Sequence, residues 1–168
     1  MNRYQTSWLR VGAALIDGIV FVPIMFLDAA LLSPERPSWV VIAWAAASYS
    51  SYWLYSSLLH ARYGQTIGKK LLRVKVLDVG EQRLPTLGRA FIRDIGIVVP
   101  NTLSVAYLAY LVHTRAWVPG AEITSMPGEI LTWVALGWFA LELATMFTNE
   151  KRRAFHDYIA KTVVVRDA

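Results

Sequence analysis

Four stretches of the chain are almost free of charge. Residues 11–32, 39–59, 95–112 and 130–148 together hold 80 residues and three charged side chains, Asp17, Asp28 and Glu142. The remaining 88 residues carry 26 charges. A helix needs about 20 apolar residues to cross the roughly 30 Å hydrocarbon layer, and these stretches are 22, 21, 18 and 19 residues long. They are continuous rather than alternating, which excludes the strands of an outer-membrane barrel and leaves helices, whose backbone bonds are satisfied internally. The pattern predicts an all-α membrane protein with four transmembrane helices, at about 8–32, 39–59, 87–113 and 130–149, forming a single domain over 1–168. A loop at 60–86 and a tail at 150–168 lie outside the layer.

The loop and tail carry a different periodicity. Leu72–Asp78 alternates as a short strand does, Asp78-Val79-Gly80-Glu81 is a turn signal, and Thr162–Asp167 is a second β-branched run. These two runs predict a small cytoplasmic two-stranded β element, which alone is marginal in water and needs helices to pack on. Thr86, directly after Pro85, is the expected N-cap of a helix from Leu87 into the third segment. Pro23 and Pro100 fall near mid-depth, where a missing donor kinks a helix. The first segment follows Arg3 and Arg10 as a signal peptide would, but Asp17 interrupts it and Leu27-Asp28-Ala29-Ala30 is a poor cleavage site, so it is expected to remain as a helix.

Charge fixes the expected orientation. The N-terminus, residues 60–94 and the chain from 149 onward hold 15 of the 17 basic residues, while the connections 33–38 and 113–129 hold only Arg36 and Arg115. The positive-inside rule places the first three regions, with both termini, in the cytoplasm, as in an inner-membrane, multi-pass protein. Trp8, Trp39, Trp117 and Trp133 fall near segment ends, where indole rings prefer the interface. Net charge of +5 is thereby assigned to topology and anionic lipid rather than nucleic acid. Composition adds exclusions: 55% hydrophobic and 17% charged residues do not make a soluble globule, and no cysteine means no disulfide, thiolate or cysteine-ligated metal.

The candidate chemistry lies in the ionisable groups of the segments, each of which costs roughly 2.5–3.5 kcal/mol at mid-helix. On a straight helix Arg10, Asp17 and Asp28 share one line. Asp17 and Glu142 lie about 9 Å inside the layer, Arg93 and Asp94 stand at the inner mouth of the third helix, and Asn101 sits one stripe above Asp94. These residues read either as a proton or cation path or as an internal ion-pair cluster that fixes packing. Arg10 and Arg93, at headgroup level, are expected to snorkel. His156-Asp157 has no nucleophile or metal cluster beside it and is expected to be structural; His60 and His113 are distant helix ends. The Tyr49, Tyr52, Tyr55 run with Ser48, Ser51 and Ser56 reads either as the lining of a polar path or as small-residue packing, and the second is favoured. Gly64-x3-Gly68-Lys69 lacks the spacing and hydroxyl of a P-loop, so no nucleotide, cofactor or metal is expected.

The constellation resembles the RDD family of small integral membrane proteins. The carrying pieces are RVGAALID at 10–17, GQTIGKK at 64–70 (with Gly64, Thr66, Gly68 and Lys69), Arg93, and KRRAFHD at 151–157 leading into Thr162–Val165, so the likeness covers about 3–166. That family is named for one arginine and two aspartates. Arg10 and Asp17 match the first two, and Asp157, or alternatively Asp94, the third. The resemblance implies a bacterial or archaeal cytoplasmic-membrane protein with a part in transport of unsettled ligands. The connection 113–129 and the fourth segment with Glu142 depart from many relatives. Two functions follow: transport of protons, cations or another small solute, in which four short helices enclose little volume and a homo-oligomer is expected, or a non-transporting scaffold whose basic face docks a cytoplasmic protein. A lipid-modifying enzyme built on His156-Asp157 is the weakest alternative.

Overall fold

The computed structural model describes residues 3–118 and 126–167; residues 119–125 of the expected outer connection lie outside them. The elements are α1 (Ser7–Val20), α2 (Val22–Leu31), α3 (Ser38–Tyr63), α4 (Ile67–Leu71), β1 (Val74–Asp78), α5 (Leu87–Arg93), α6 (Ile95–His113), α7 (Met126–Thr148), α8 (Phe155–Ile159) and β2 (Thr162–Arg166). The described chain is mostly helical with one two-stranded sheet.

Two of the expected helices are interrupted. The first breaks at Phe21, because Pro23 occupies the start of α2, where a missing N–H costs nothing. The straight-helix line from Arg10 and Asp17 therefore does not continue to Asp28. The third breaks at Asp94, whose N–H closes the last turn of α5 on the carbonyls of Ala90 and Phe91. Of the single helices, α6 and α7 are long and apolar enough to cross a membrane, with mean hydropathy 1.7 and 1.6, and α1 with α2 qualifies as one broken span. At 26 residues α3 is longer than either, but its serines and tyrosines dilute its hydropathy. Met25, Phe26, Trp133 and Phe139 are each more than half exposed, as side chains facing lipid would be and as a water-soluble surface would not tolerate in such number. The chain is a membrane protein with two or three such spans.

The chain forms two compact units. One comprises Phe21–Tyr52 and Gly96–Trp138. Its core is Val41, Ala45 and Leu108, joined by Leu32, Val112 and Trp117. Polar groups there are paired locally: Trp44 Nε1 donates to Asp28 Oδ1 at 2.8 Å, and Phe21 meets Tyr52 edge-on at 5.4 Å.

The other unit comprises Met1–Val20, Trp53–Ile95 and Phe139–Ala168. In it β1 and β2 pair antiparallel, with Val76 opposite Val164 and Asp78 opposite Thr162, as the two β-branched runs predict. Val74, Val76 and Val164 are fully buried with Leu9 of α1 against them. The helix thus supplies the packing that an isolated ribbon lacks. The turn closes as expected, Glu81 N–H donating to Asp78 O at 2.9 Å, and Glu81 then receives Tyr4 Oη at 2.7 Å and Lys151 Nζ at 2.8 Å.

The GQTIGKK stretch explains itself residue by residue. Gly64 takes φ +72°, open to glycine, and its carbonyl accepts from Val76 N–H at 2.7 Å. Gln65 Nε2 donates to Val74 O at 3.1 Å and to Asp167 Oδ2 at 2.9 Å. Thr66 caps α4, its hydroxyl accepting from Lys69 N–H at 3.3 Å. Gly68 lies so close to α1 that a Cβ would stand 2.1 Å from Ala13 O.

Gly68→Ala should therefore destabilise the protein by about 3 kcal/mol or prevent its folding. Gly88→Ala, where an added Cβ meets nothing within 4 Å, should gain about 0.5–1 kcal/mol. Thermal unfolding of the purified variants in detergent checks both; equal melting temperatures would refute the close helix approach.

Candidate functional site

Asp157 is the centre of a buried polar cluster. It is the third residue of α8, and its Oδ2 accepts from Ala154 N–H at 3.0 Å, closing the helix N-terminus on itself. The same oxygen receives Arg10 Nη2 from α1 at 2.8 Å. Oδ1 receives Thr162 Oγ1 from β2 at 3.1 Å and faces Arg93 Nε from α5 at 3.2 Å, the last as an ion pair rather than an aligned hydrogen bond. Exposure is 0% for Asp157, 8% for Arg10 and 4% for Arg93. The two arginines therefore do not snorkel. A guanidinium this deep is tolerable only beside a carboxylate, and the tail carries one back to them. Burial pushes the Asp157 carboxyl up, but Arg10 and the other cationic neighbours hold it well below the usual carboxylate range.

His156, the preceding residue, is clamped by Glu142 of α7, which accepts from its backbone N–H at 3.2 Å and from Nδ1 at 2.5 Å. Its Nε2 faces two arginine donors, Arg10 Nη2 at 3.1 Å and Arg93 Nη2 at 3.0 Å. Nε2 also lies 3.4 Å from Asp157 Oδ1, so the ring sits between two carboxylates and two guanidinium groups.

His60 repeats the arrangement from α3. Its Nε2 faces Lys69 Nζ at 2.7 Å and Arg93 Nη1 at 3.3 Å, and its Nδ1 lies 3.1 Å from Ser56 Oγ. Ser56 Oγ donates to Asp94 Oδ1 at 3.2 Å, and Ser57 Oγ donates to Asp94 Oδ2 at 2.7 Å. Lys69 is half-buried and, among the described residues, makes no ion pair. Burial, then Arg93 and Arg10, bring its ammonium well below the ordinary lysine range.

Asp17 stands apart from Arg10 despite sharing its helical line. It is 1% exposed and has hydrogen bonds in place of a cation. Oδ1 accepts from Tyr55 Oη at 2.7 Å and from Gly68 N–H at 2.8 Å, and Oδ2 accepts from Thr66 Oγ1 at 2.6 Å. The carboxylate thus caps α4 from a neighbouring helix, favoured there by the helix dipole.

Of the residues singled out from the sequence, Arg10, Arg93, Asp94, Glu142, His156, Asp157 and Lys69 share one connected cluster, and Asp17, Gly64, Thr66 and Gly68 form the α4 anchor. Asn101 belongs to the other unit, where its amide donates to Tyr49 O at 2.8 Å. His60 is a correction: it lies in the last turn of α3, as expected, but it is not distant, being buried at the heart of the cluster with Ser56 and Ser57. The one local signal was Ser56 and His60 at i and i+4, which face each other on a helix. Tyr55, assigned to packing, bonds Asp17. Among the described residues no group of three or more metal-ligating side chains occurs. The cavity of about 530 Å³ lined in part by Tyr4, Asn149 and Arg152 holds none of the cluster's charged groups.

The model of one family, described as the RDD family, matches residues 4–161. No curated protein and no solved structure matches the chain.

Asp157 and Asp17, the two least exposed aspartates, should respond differently to amidation. Asp157→Asn leaves two arginines without a counter-charge and should cost about 3–5 kcal/mol. Asp17→Asn retains one acceptor oxygen and should cost about 1–3 kcal/mol; thermal unfolding in detergent ranks the two, and the reverse order would refute the assignment. The folded-state pKa of Asp157 is lowered, so its stabilisation is complete above the unfolded carboxylate range, near pH 4 or about that. It is lost as pH falls from there toward the folded value. The acid-side fall in stability should therefore be shallower in Asp157→Asn by about one proton of linkage.

Proposed function

This chain belongs to the RDD family, and we propose that it is a small polytopic protein of the cytoplasmic membrane that moves protons or small cations past its buried polar cluster. In this reading α1 with α2, α3, α6 and α7 make four crossings as a single domain, and both termini lie on the basic, cytoplasmic side. A homo-oligomer would enclose the route that four helices leave open.

One observation carries the proposal. Two imidazoles, His60 and His156, present their Nε2 atoms to the two terminal nitrogens of one buried arginine, Arg93. Buried groups able to accept and release protons, linked by hydrogen bonds within a membrane protein, are the parts a proton path requires. His156, at 21% side-chain exposure, and Glu142, at 13%, are the less enclosed end of that set.

A second reading is favoured by Asp17 and Asp157, whose oxygens are occupied by hydrogen bonds that tie loop and tail to the helices. On that reading the cluster is a lock, and the chain is a scaffold whose basic face docks a cytoplasmic partner.

Purified protein in liposomes loaded with a pH-sensitive dye separates the two. Pulses of Na⁺, K⁺ and Li⁺ should drive proton movement above that of empty liposomes, and Glu142→Gln should reduce it at least about tenfold with the protein still folded. Folded wild-type protein that moves no protons would overturn transport in favour of the scaffold.

A further inference from the structure

Four side chains of the cluster are joined by hydrogen bonds that all point the same way. Arg93 and, as an ammonium, Lys69 can only donate, so their contacts with His60 make Nε2 the acceptor. His60 must then carry its proton on Nδ1, and that proton is given to Ser56 Oγ. Ser56 spends its own proton on Asp94 Oδ1. The separations are 2.7, 3.1 and 3.2 Å, and Ser56, His60 and Asp94 are all buried. The groups around the chain are accounted for. Arg93 from α5 faces His60 Nε2 beside Lys69, Ser57 is the second donor to Asp94, and Asp94, among the described residues, has no cationic partner within ion-pair distance.

We propose that Lys69, His60, Ser56 and Asp94 form a proton relay, with Lys69 as the loading group and Asp94 as the terminal acceptor. The proposal rests on the proton-handling reading of the cluster and names the residues that would carry it out. One passage breaks Lys69 Nζ–H and forms His60 Nε2–H, breaks His60 Nδ1–H and forms a Ser56 O–H, and breaks the original Ser56 O–H to form Asp94 Oδ1–H. An ammonium and a carboxylate become an amine and a carboxylic acid, the total charge is unchanged, and no electrons are exchanged. Return of the serine hydroxyl and of the imidazole tautomer resets the chain. Three features suit Lys69 to loading: it is half-buried, it is unpaired by any carboxylate, and its proton is loosened by burial and by Arg93 and Arg10.

Ser56 and Ser57 make a matched pair for testing this, since each gives Asp94 one hydroxyl hydrogen bond and only Ser56 also touches His60. Deuterium exchange of the His60 Nδ1 proton, followed by ¹⁵N NMR on the full chain in lipid, reads the relay without reference to net transport. Exchange should slow at least about tenfold in Ser56→Ala and in Lys69→Met and stay within about twofold of wild type in Ser57→Ala. Equal exchange in Ser56→Ala and wild type, equal slowing in both serine variants, or a proton found on Nε2 at neutral pH would each overturn the relay. Proton flux measured in parallel keeps the two proposals apart. The expected exchange pattern without flux rejects transport and leaves the relay standing. Flux with no effect of Ser56 on exchange rejects the relay and leaves transport standing.

Discussion

A carboxylate with no exposed surface, held between two buried guanidinium groups, is the constraint on which one half of this protein depends. Moving even one such charge out of water costs several kcal/mol, so Arg10, Arg93 and Asp157 are each tolerable only in the presence of the others. Each comes from a different helix. Asp157 also closes its own helix end through Ala154 and takes a hydroxyl from β2 through Thr162, so a single carboxylate fixes α1, α5, α8 and the ribbon in one arrangement. The value of such a network lies less in net stability than in specificity, since every displaced alternative leaves a charge stranded.

Asp157 and Asp17, both buried, solve different problems. Asp157 neutralises cations. Asp17 neutralises none and instead satisfies the open N–H end of a five-residue helix. A helix so short has no stability of its own; it exists because Thr66, Gly68 and the α1 carboxylate meet at its first turn. The glycines and threonine of GQTIGKK are thus read most simply as what that meeting requires, and Lys69, one residue further on, is the member of the stretch with chemistry left over.

What the sequence disclosed follows the range of the forces involved. The apolar stretches, the caps at Thr66 and Thr86 and the pairing of the two β-branched runs depend on neighbours a few residues away or on the solvent, and the residues alone state them. The break at Phe21 was half legible, since Pro23 marked a kink without placing it. The break at Asp94 has no comparable marker. Arg10 and Arg93 were legible as arginines near a headgroup layer and not as buried ones, because the partner that draws them inward stands 147 and 64 positions along the chain. His60, Ser56 and Ser57 are polar residues on one face of a helix whose hydropathy says only that the face is mixed; what they bond to is supplied by α4 and α5. Helical spacing put Arg10 and Asp17 on one line, yet they do not pair, because adjacency along a helix surface does not decide which neighbouring element each residue meets.

The antiparallel ribbon has a temporal meaning as well as a spatial one. Its second strand, and Asp157 just before it, are made after all the long apolar helices. A chain made only as far as its apolar helices therefore has Arg10 and Arg93 without the carboxylate that neutralises them. Completion of the tail then supplies the partner of a strand made more than eighty residues earlier and the carboxylate that both arginines face. A ribosome that stalls before the tail therefore leaves a nascent chain in which both arginines lack the carboxylate they need.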